Sequence, residues 1–71
     1  MRDRVLPGER VEAGLRARLA AGEWSPGDQL PTLDVLAAHY GASKETCARI
    51  VRKLAAEGLL VIRERWGTFK T

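Results

Sequence analysis

The chain carries a single cysteine, Cys47, and a single histidine, His39, among its 71 residues. One cysteine excludes a disulfide framework and a cysteine metal site within the chain, and one histidine puts a histidine cluster out of reach. Such cysteine usage suits a reducing compartment, and the cytoplasm is the expected location. No stretch approaches the roughly 18 apolar residues that span a bilayer. Residues 1–12, MRDRVLPGERVE, are charged throughout and lack the apolar centre of a secretory signal. A glycine-rich phosphate loop is missing, and the carboxylates are scattered, without a Ser, Cys or His arrangement to serve as nucleophile and base. A binding protein is therefore expected rather than an enzyme, with no cofactor, no metal and no membrane among its partners, and with no small-molecule effector pocket in so short a chain. Repeats and low-complexity segments are absent as well, so 1–71 reads as one domain. A domain this small buries only about 60% of its unfolded surface, which demands an economical core.

What the chain does have is an uneven distribution of charge. Up to Ser43 there are five Lys and Arg against six Asp and Glu, a net of −1. From Lys44 onward there are seven (Lys44, Arg49, Arg52, Lys53, Arg63, Arg65, Lys70) against three (Glu45, Glu57, Glu64), a net of +4. The C-terminal part is thus the part suited to an anionic partner.

Apolar periodicity divides the chain into three helices and a hairpin. Val11, Leu15 and Leu19 recur every four residues and predict a first helix from Gly8 to Ala21, entered at Pro7 and ended by Gly22, with Gly14 weakening it slightly. The link Glu23–Pro31 holds the turn signal Pro26-Gly27, and Asp28-Gln29-Leu30 reads as a very short strand. Thr32 is placed to cap a second helix whose apolar residues are Leu33, Leu36, Ala37 and Tyr40, with Asp34 in its first turn at the positive end of the dipole. Gly41 ends it. Ser43 caps a third helix, 44–57, whose apolar residues Cys47, Ile50, Val51 and Leu54 fall on one face, and Gly58 ends that one. The remainder, 59–71, reads as a hairpin: a β-branched run to Arg63, a turn through Glu64, Arg65, Trp66 and Gly67, and a second run from Thr68.

Two short amphipathic helices joined through Gly41-Ala42-Ser43 are the layout of a helix-turn-helix. The second helix of such a pair lies in the major groove with its N-terminal residues at the base edges. Here those residues are Ser43, Lys44, Glu45 and Thr46, with Arg49 a turn further on. Lys44 can donate to guanine and Glu45 can accept from cytosine, while the hydroxyls and N-terminal N–H groups suit phosphate oxygens. The tip of the hairpin, Arg63 to Trp66, adds a basic element that can reach the backbone or the neighbouring minor groove. The fold class expected is mainly α with a small β-hairpin, a winged helix-turn-helix of three helices plus a β wing.

At this level of detail the sequence resembles the DNA-binding domain of the GntR family of bacterial regulators. The resemblance is carried by residues 22–32 (GEWSPGDQLPT), Leu36-Ala37, residues 41–46 (GASKET), Leu54, Glu57-Gly58-Leu59 and Gly67-Thr68-Phe69, in ungapped register from Gly22 to Phe69. It implies binding to duplex DNA at a near-palindromic operator, two copies together, with repression commoner than activation. It also implies that Thr32 opens the second helix beside a phosphate and that Ser43 and Thr46 bind backbone. Lys44 matches a base-reading position usually held by Arg, and Gly67-Thr68 match the wing strand that passes the phosphates. The chain departs from the family pattern at Asp34, where a base-contacting Arg is usual and an acid would repel phosphate unless it accepts from cytosine. Ala48 replaces another frequent Arg, for which Arg49 is the neighbouring substitute. Arg65 and Trp66 occupy the first two places of the usual wing Gly-x-Gly-Thr. Full-length members continue into a ligand-binding, dimerising domain, so the chain reads as either an excised DNA-binding domain or a standalone small protein, monomeric or weakly dimeric until DNA assembles it.

The remaining polar and aromatic residues have plainer expected roles. Cys47 is a small buried hydrophobe, His39 favours the negative end of its helix, Trp24 packs on the first helix, and Arg16 and Arg18 lie on a solvated face. Arg52 and Lys53 are expected to act through salt-dependent contacts more than through sequence. Trp66 either packs on the wing or a partner, or touches nucleic acid. The alternative function is a winged helix that binds another protein, which Asp34 and Ala48 favour and the basic third helix and wing oppose. A double-stranded RNA or nucleoid-type binder fits less well, because the deep RNA groove excludes the third helix.

Overall fold

A computed structural model describes residues 6–71; the first five residues of the expected domain lie outside the description. Helix α1 spans Pro7–Ala20 and starts on Pro7, whose missing N–H is one the first turn leaves unpaired anyway. Helix α2 spans Leu33–Tyr40, with the Thr32 hydroxyl accepting from the Val35 N–H at 3.3 Å. Helix α3 spans Lys44–Ala56, with the Ser43 hydroxyl accepting from the Thr46 N–H at 3.0 Å. Between α2 and α3 the chain turns at Gly41, whose φ of 64° is left-handed and open to glycine at no steric cost. Strands β1, Leu60–Arg63, and β2, Gly67–Lys70, pair antiparallel, Leu60 opposite Lys70 and Arg63 opposite Gly67. The expected boundaries hold to within a residue: α1 begins at Pro7, α3 stops at Ala56 with Glu57 as its cap, and Leu59 packs partly buried ahead of β1. No helix among the described residues is long and apolar enough to cross a membrane.

The short stretch around Gln29 runs along the free edge of β2. Gln29 bridges Phe69, the Leu30 N–H donates to Thr68 O at 2.8 Å, and the Lys70 N–H donates to Asp28 O at 2.9 Å. These bonds give the hairpin a third rung and tie the wing to the link before α2. An isolated two-stranded hairpin is marginal in water, so this attachment helps to hold the wing in a defined place.

One core serves all of these elements. Val11 and Leu15 of α1, Trp24 and Leu30 of the link, Leu36 and Tyr40 of α2, Cys47, Ile50, Val51 and Leu54 of α3, and Leu60 of β1 are all buried. Cys47 is fully enclosed, and burial pushes its thiol pKa up, away from the reactive thiolate. The helix-weakening Gly14 has a packing reason. A Cβ there would lie 2.5 Å from Cε1 and 2.8 Å from the hydroxyl of Tyr40, so α1 and α2 approach this closely only over glycine.

Arg16 and Arg18 are not residues of a solvated face, as the sequence suggested; both bind across elements. Arg16 donates to Glu12 and forms a two-pronged pair with Glu57 at 2.9 and 2.6 Å, while Lys53 reaches Glu12 at 3.0 Å, so that α1 and α3 share an ionic seam. Arg18 forks onto Glu23 at 2.9 and 2.6 Å, donates to the Tyr40 hydroxyl and lies 4.6 Å over the Trp24 ring. Periodicity marked these arginines as off the apolar face but could not show which acids the fold would bring opposite them. The cationic partners lower the pKa values of Glu12, Glu23 and Glu57 below the usual range, chiefly through hydrogen bonds from Lys53, Arg18 and Arg16 respectively.

Two outcomes follow for stability. Alanine is the better helix former, yet Gly14→Ala should destabilise the domain by about 1–3 kcal/mol through overpacking against Tyr40, measured by urea denaturation. The three glutamates have folded pKa values below their ordinary value of 4.5, so their contribution is complete at neutral pH and is lost as pH falls from about 4.5 through those lower values. Melting temperature should therefore fall across that acid window, and less steeply in Glu57→Gln; an equal slope in the variant would remove the Arg16 pair from the account.

Candidate nucleic-acid interface

With Cys47, Ile50, Val51 and Leu54 buried, α3 turns the stripe Glu45, Ala48, Arg49 and Arg52 outward. Ser43, Glu45, Thr46, Ala48, Arg49 and Arg52 line a shallow depression along it. The N-terminus of this stripe is held by paired hydroxyls: Ser43 caps the helix through the Thr46 N–H, and its own O–H donates to Thr46 Oγ1 at 2.8 Å. Both side chains remain at the surface; the Ser43 proton is committed to Thr46, and the Thr46 O–H is the one left to donate to a phosphate oxygen.

Arg49 and Arg52 meet different neighbours. The Arg49 guanidinium lies against Gly8 at the start of α1, where a Cβ would come within 2.9 Å of its Nη2. Arg52 faces the wing, lining a second depression with Leu33, Ala48, Ile62, Glu64 and Thr68. Sequence reasoning gave Arg52 a secondary place; its position between α3 and the wing makes it part of the same face, and an offset of seven residues from Glu45 was the available signal. Lys53 belongs elsewhere, in the ionic seam with Glu12 on α1.

Thr32, Arg65, Gly67 and Thr68 also come together, in a third depression between the start of α2 and the wing that Gln29 and Arg63 complete. The wing turn is closed by the Trp66 N–H donating to Arg63 O at 3.0 Å, which places Arg65 at the third position of the turn with φ of 76°. A positive φ there is the requirement that normally selects glycine or asparagine. The Gln29 amide steadies the turn by donating to Trp66 O at 2.7 Å, and it lies so close to Gly67 that a Cβ there would meet it at 2.5 Å. Trp66 itself is 72% exposed, so its ring does not pack on the wing.

Lys44 is the predicted site residue whose surroundings the sequence did not foresee. Its Nζ lies 3.4 Å from Asp34 Oδ1, across the turn between the two helices. Arg49, Arg52, Arg63 and Arg65, by contrast, have no carboxylate at ion-pair distance among the described residues, whereas Arg16, Arg18 and Lys53 are all paired on the far side of the domain. Of the five guanidiniums without a carboxylate partner among the described residues, four fall on α3 and the wing, alongside the acids Glu45 and Glu64, while Arg10 of α1 donates to the Tyr40 carbonyl at 2.9 Å.

A helix pair joined by a three-residue turn, a third helix behind it and a hairpin tied alongside make a winged helix-turn-helix domain. Residues 7–69 match the family model for bacterial regulatory proteins of the gntR family, and the chain belongs to that family. It is 38% identical over 61 residues to the histidine utilization repressor of Klebsiella aerogenes, a match covering 86% of this chain and 25% of that protein. It is 41% identical over 49 residues to the HTH-type transcriptional regulator Rv1152 of Mycobacterium tuberculosis, covering 69% of this chain and 40% of the other. The chain thus spans between a quarter and two fifths of these curated relatives. Among solved structures, the DNA-binding domain of AraR in complex with operator ORX1 superposes with a TM-score of 0.89 at 24% identity, over 96% of this chain and 82% of that one, a likeness of fold. The GntR of Streptococcus agalactiae superposes with a TM-score of 0.79 at 26% identity, over 90% of this chain and 31% of that one.

The geometry of the turn makes a direct prediction. A left-handed non-glycine residue costs about 1–2 kcal/mol, and glycine returns about 0.5–1 kcal/mol of that as lost unfolded-state restriction, so Arg65→Gly should stabilise the domain by up to about 1 kcal/mol in urea denaturation. A loss of stability would mean that the Arg65 side chain contributes packing not seen in its exposed position.

Proposed function

We propose that the domain binds duplex DNA as the operator-recognising part of a transcription regulator, in most settings a repressor. One observation carries this reading: the guanidiniums of Arg49, Arg52, Arg63 and Arg65 have no carboxylate partner among the described residues, the first two lying within the outward stripe of α3 and the other two on the wing beside it. A cation left unpaired at a surface is free to displace the counterions condensed on a phosphate backbone, which is where most of the affinity for DNA arises. In this reading α3 enters the major groove from its capped N-terminus. Ser43, Thr46 and Thr32 meet phosphates, Lys44 and Glu45 meet base edges, and Arg65, Trp66, Gly67 and Thr68 follow the adjacent backbone or minor groove. The curated relatives named as a repressor and a transcriptional regulator support the biological role. Two copies would bind a near-palindromic site, each anchored on its own half, which raises the effective concentration of any weak contact between them.

Selection of bound duplexes from a random pool, followed by titration of the selected site, tests the proposal. Arg49→Ala and Arg52→Ala should each weaken binding about 5- to 100-fold, with the fold intact by circular dichroism. Lys53→Ala, on the α1 side, should leave affinity within about twofold. Arg65→Gly should lower the slope of log affinity against log salt by about 1, as expected for one lost phosphate contact. Equal binding by the parent and both arginine variants would remove α3 from the interface.

A further inference from the structure

Asp34 is an acid on the face assigned to DNA, where it opposes phosphate, and it does not serve as a helix cap, because Thr32 does that. It stands in the first turn of α2 with 78% of its side chain exposed, and its Oδ1 lies 3.4 Å from the Nζ of Lys44, itself 61% exposed, in the first turn of α3. An ion pair this open contributes little to stability, since water screens both charges and two flexible side chains must be held still. Its chemistry matches something else. In the major groove a G·C pair offers the guanine N7 and O6 acceptors beside the cytosine N4–H donor. O6 and N4 are joined by a Watson–Crick hydrogen bond, which sets them about 3 Å apart. An ammonium and a carboxylate already held near that separation present the complementary order, donor to guanine and acceptor to cytosine.

We propose that Asp34 and Lys44 act as one reading unit that selects a single oriented C·G pair in each half-site. The ammonium donates to guanine O6 and N7, and the carboxylate accepts from cytosine N4 while holding the ammonium over the same pair. An A·T pair serves the unit less well, because the ammonium loses its two adjacent acceptors and the thymine methyl lies beside the charges. Reversing the pair exchanges donor and acceptor and sets like against like. Asp34 therefore acts as a specificity-determining residue at a cost in overall affinity, since its charge opposes the phosphates at every sequence. The proposal rests on the DNA-binding reading above and deepens it.

The test uses random-duplex selection with the parent domain, Asp34→Ala, Asp34→Asn and Lys44→Ala, each first shown to be folded. The parent should prefer C·G over other pairs by about tenfold at one position per half-site. Asp34→Ala should erase that preference while binding non-selected DNA more tightly, and Asp34→Asn should move it towards A·T, because an amide pairs with adenine N6 and N7. Lys44→Ala should weaken preference at that same position. Retention of the C·G preference in Asp34→Ala, or effects of the two residues at separate positions, would overturn the reading unit while leaving DNA binding standing. Failure of the parent to select any site would overturn both.

Discussion

Helix α3 is held by one face and offers the other. Burial of Cys47, Ile50, Val51 and Leu54 against α1, α2 and β1 removes every freedom of rotation about its axis, because any turn of the helix would expose apolar side chains. The outward stripe of Glu45, Ala48, Arg49 and Arg52 is the geometric complement of that anchoring. The groove-reading role proposed for this helix requires side chains in a fixed register, and core packing supplies that register.

Two further devices surround this helix. On the side away from the proposed interface, Arg16, Glu12, Glu57 and Lys53 link α1 to α3 in an ionic seam. On the side of the proposed interface the arginines of α3 and the wing have no carboxylate at ion-pair distance among the described residues, and the wing that carries two of them is tied to the link by backbone bonds at Asp28 and Leu30 and by the Gln29 amide. The net charge of +3 is modest, yet pairing concentrates its effect on one face. The distribution of ion pairs is thus as informative as the distribution of charges.

Much of the fold was legible from the residues. The three helices followed from apolar spacing, their starts from Thr32 and Ser43, their ends from Gly22, Gly41 and Gly58, and the wing from a β-branched run on each side of a turn. The short strand expected at Asp28–Leu30 came out as a single bridge, Gln29 opposite Phe69. What could not be read were relations between distant residues. Gly14 looked like a weakness until Tyr40 was seen to occupy the space above it. Arg16 and Arg18 looked solvated until Glu57, Glu23 and Trp24 came opposite. The candidate site was legible as a list: Ser43, Glu45, Thr46 and Arg49 do share one surface, and Thr32, Arg65, Gly67 and Thr68 another. The Asp34–Lys44 pair and the place of Arg52 between α3 and the wing depend on how the helices cross, which periodicity does not encode.

The central claim is that the face made by α3 and the wing is the surface that meets duplex DNA. Amide chemical-shift mapping of the isotopically labelled domain, titrated with a selected short duplex, addresses it most directly. The account predicts that the largest perturbations fall at residues 32–34, 43–52 and 63–68, while Glu12, Arg16 and Glu57 change little. Perturbations centred on the α1 seam, or none at saturating duplex, would contradict it.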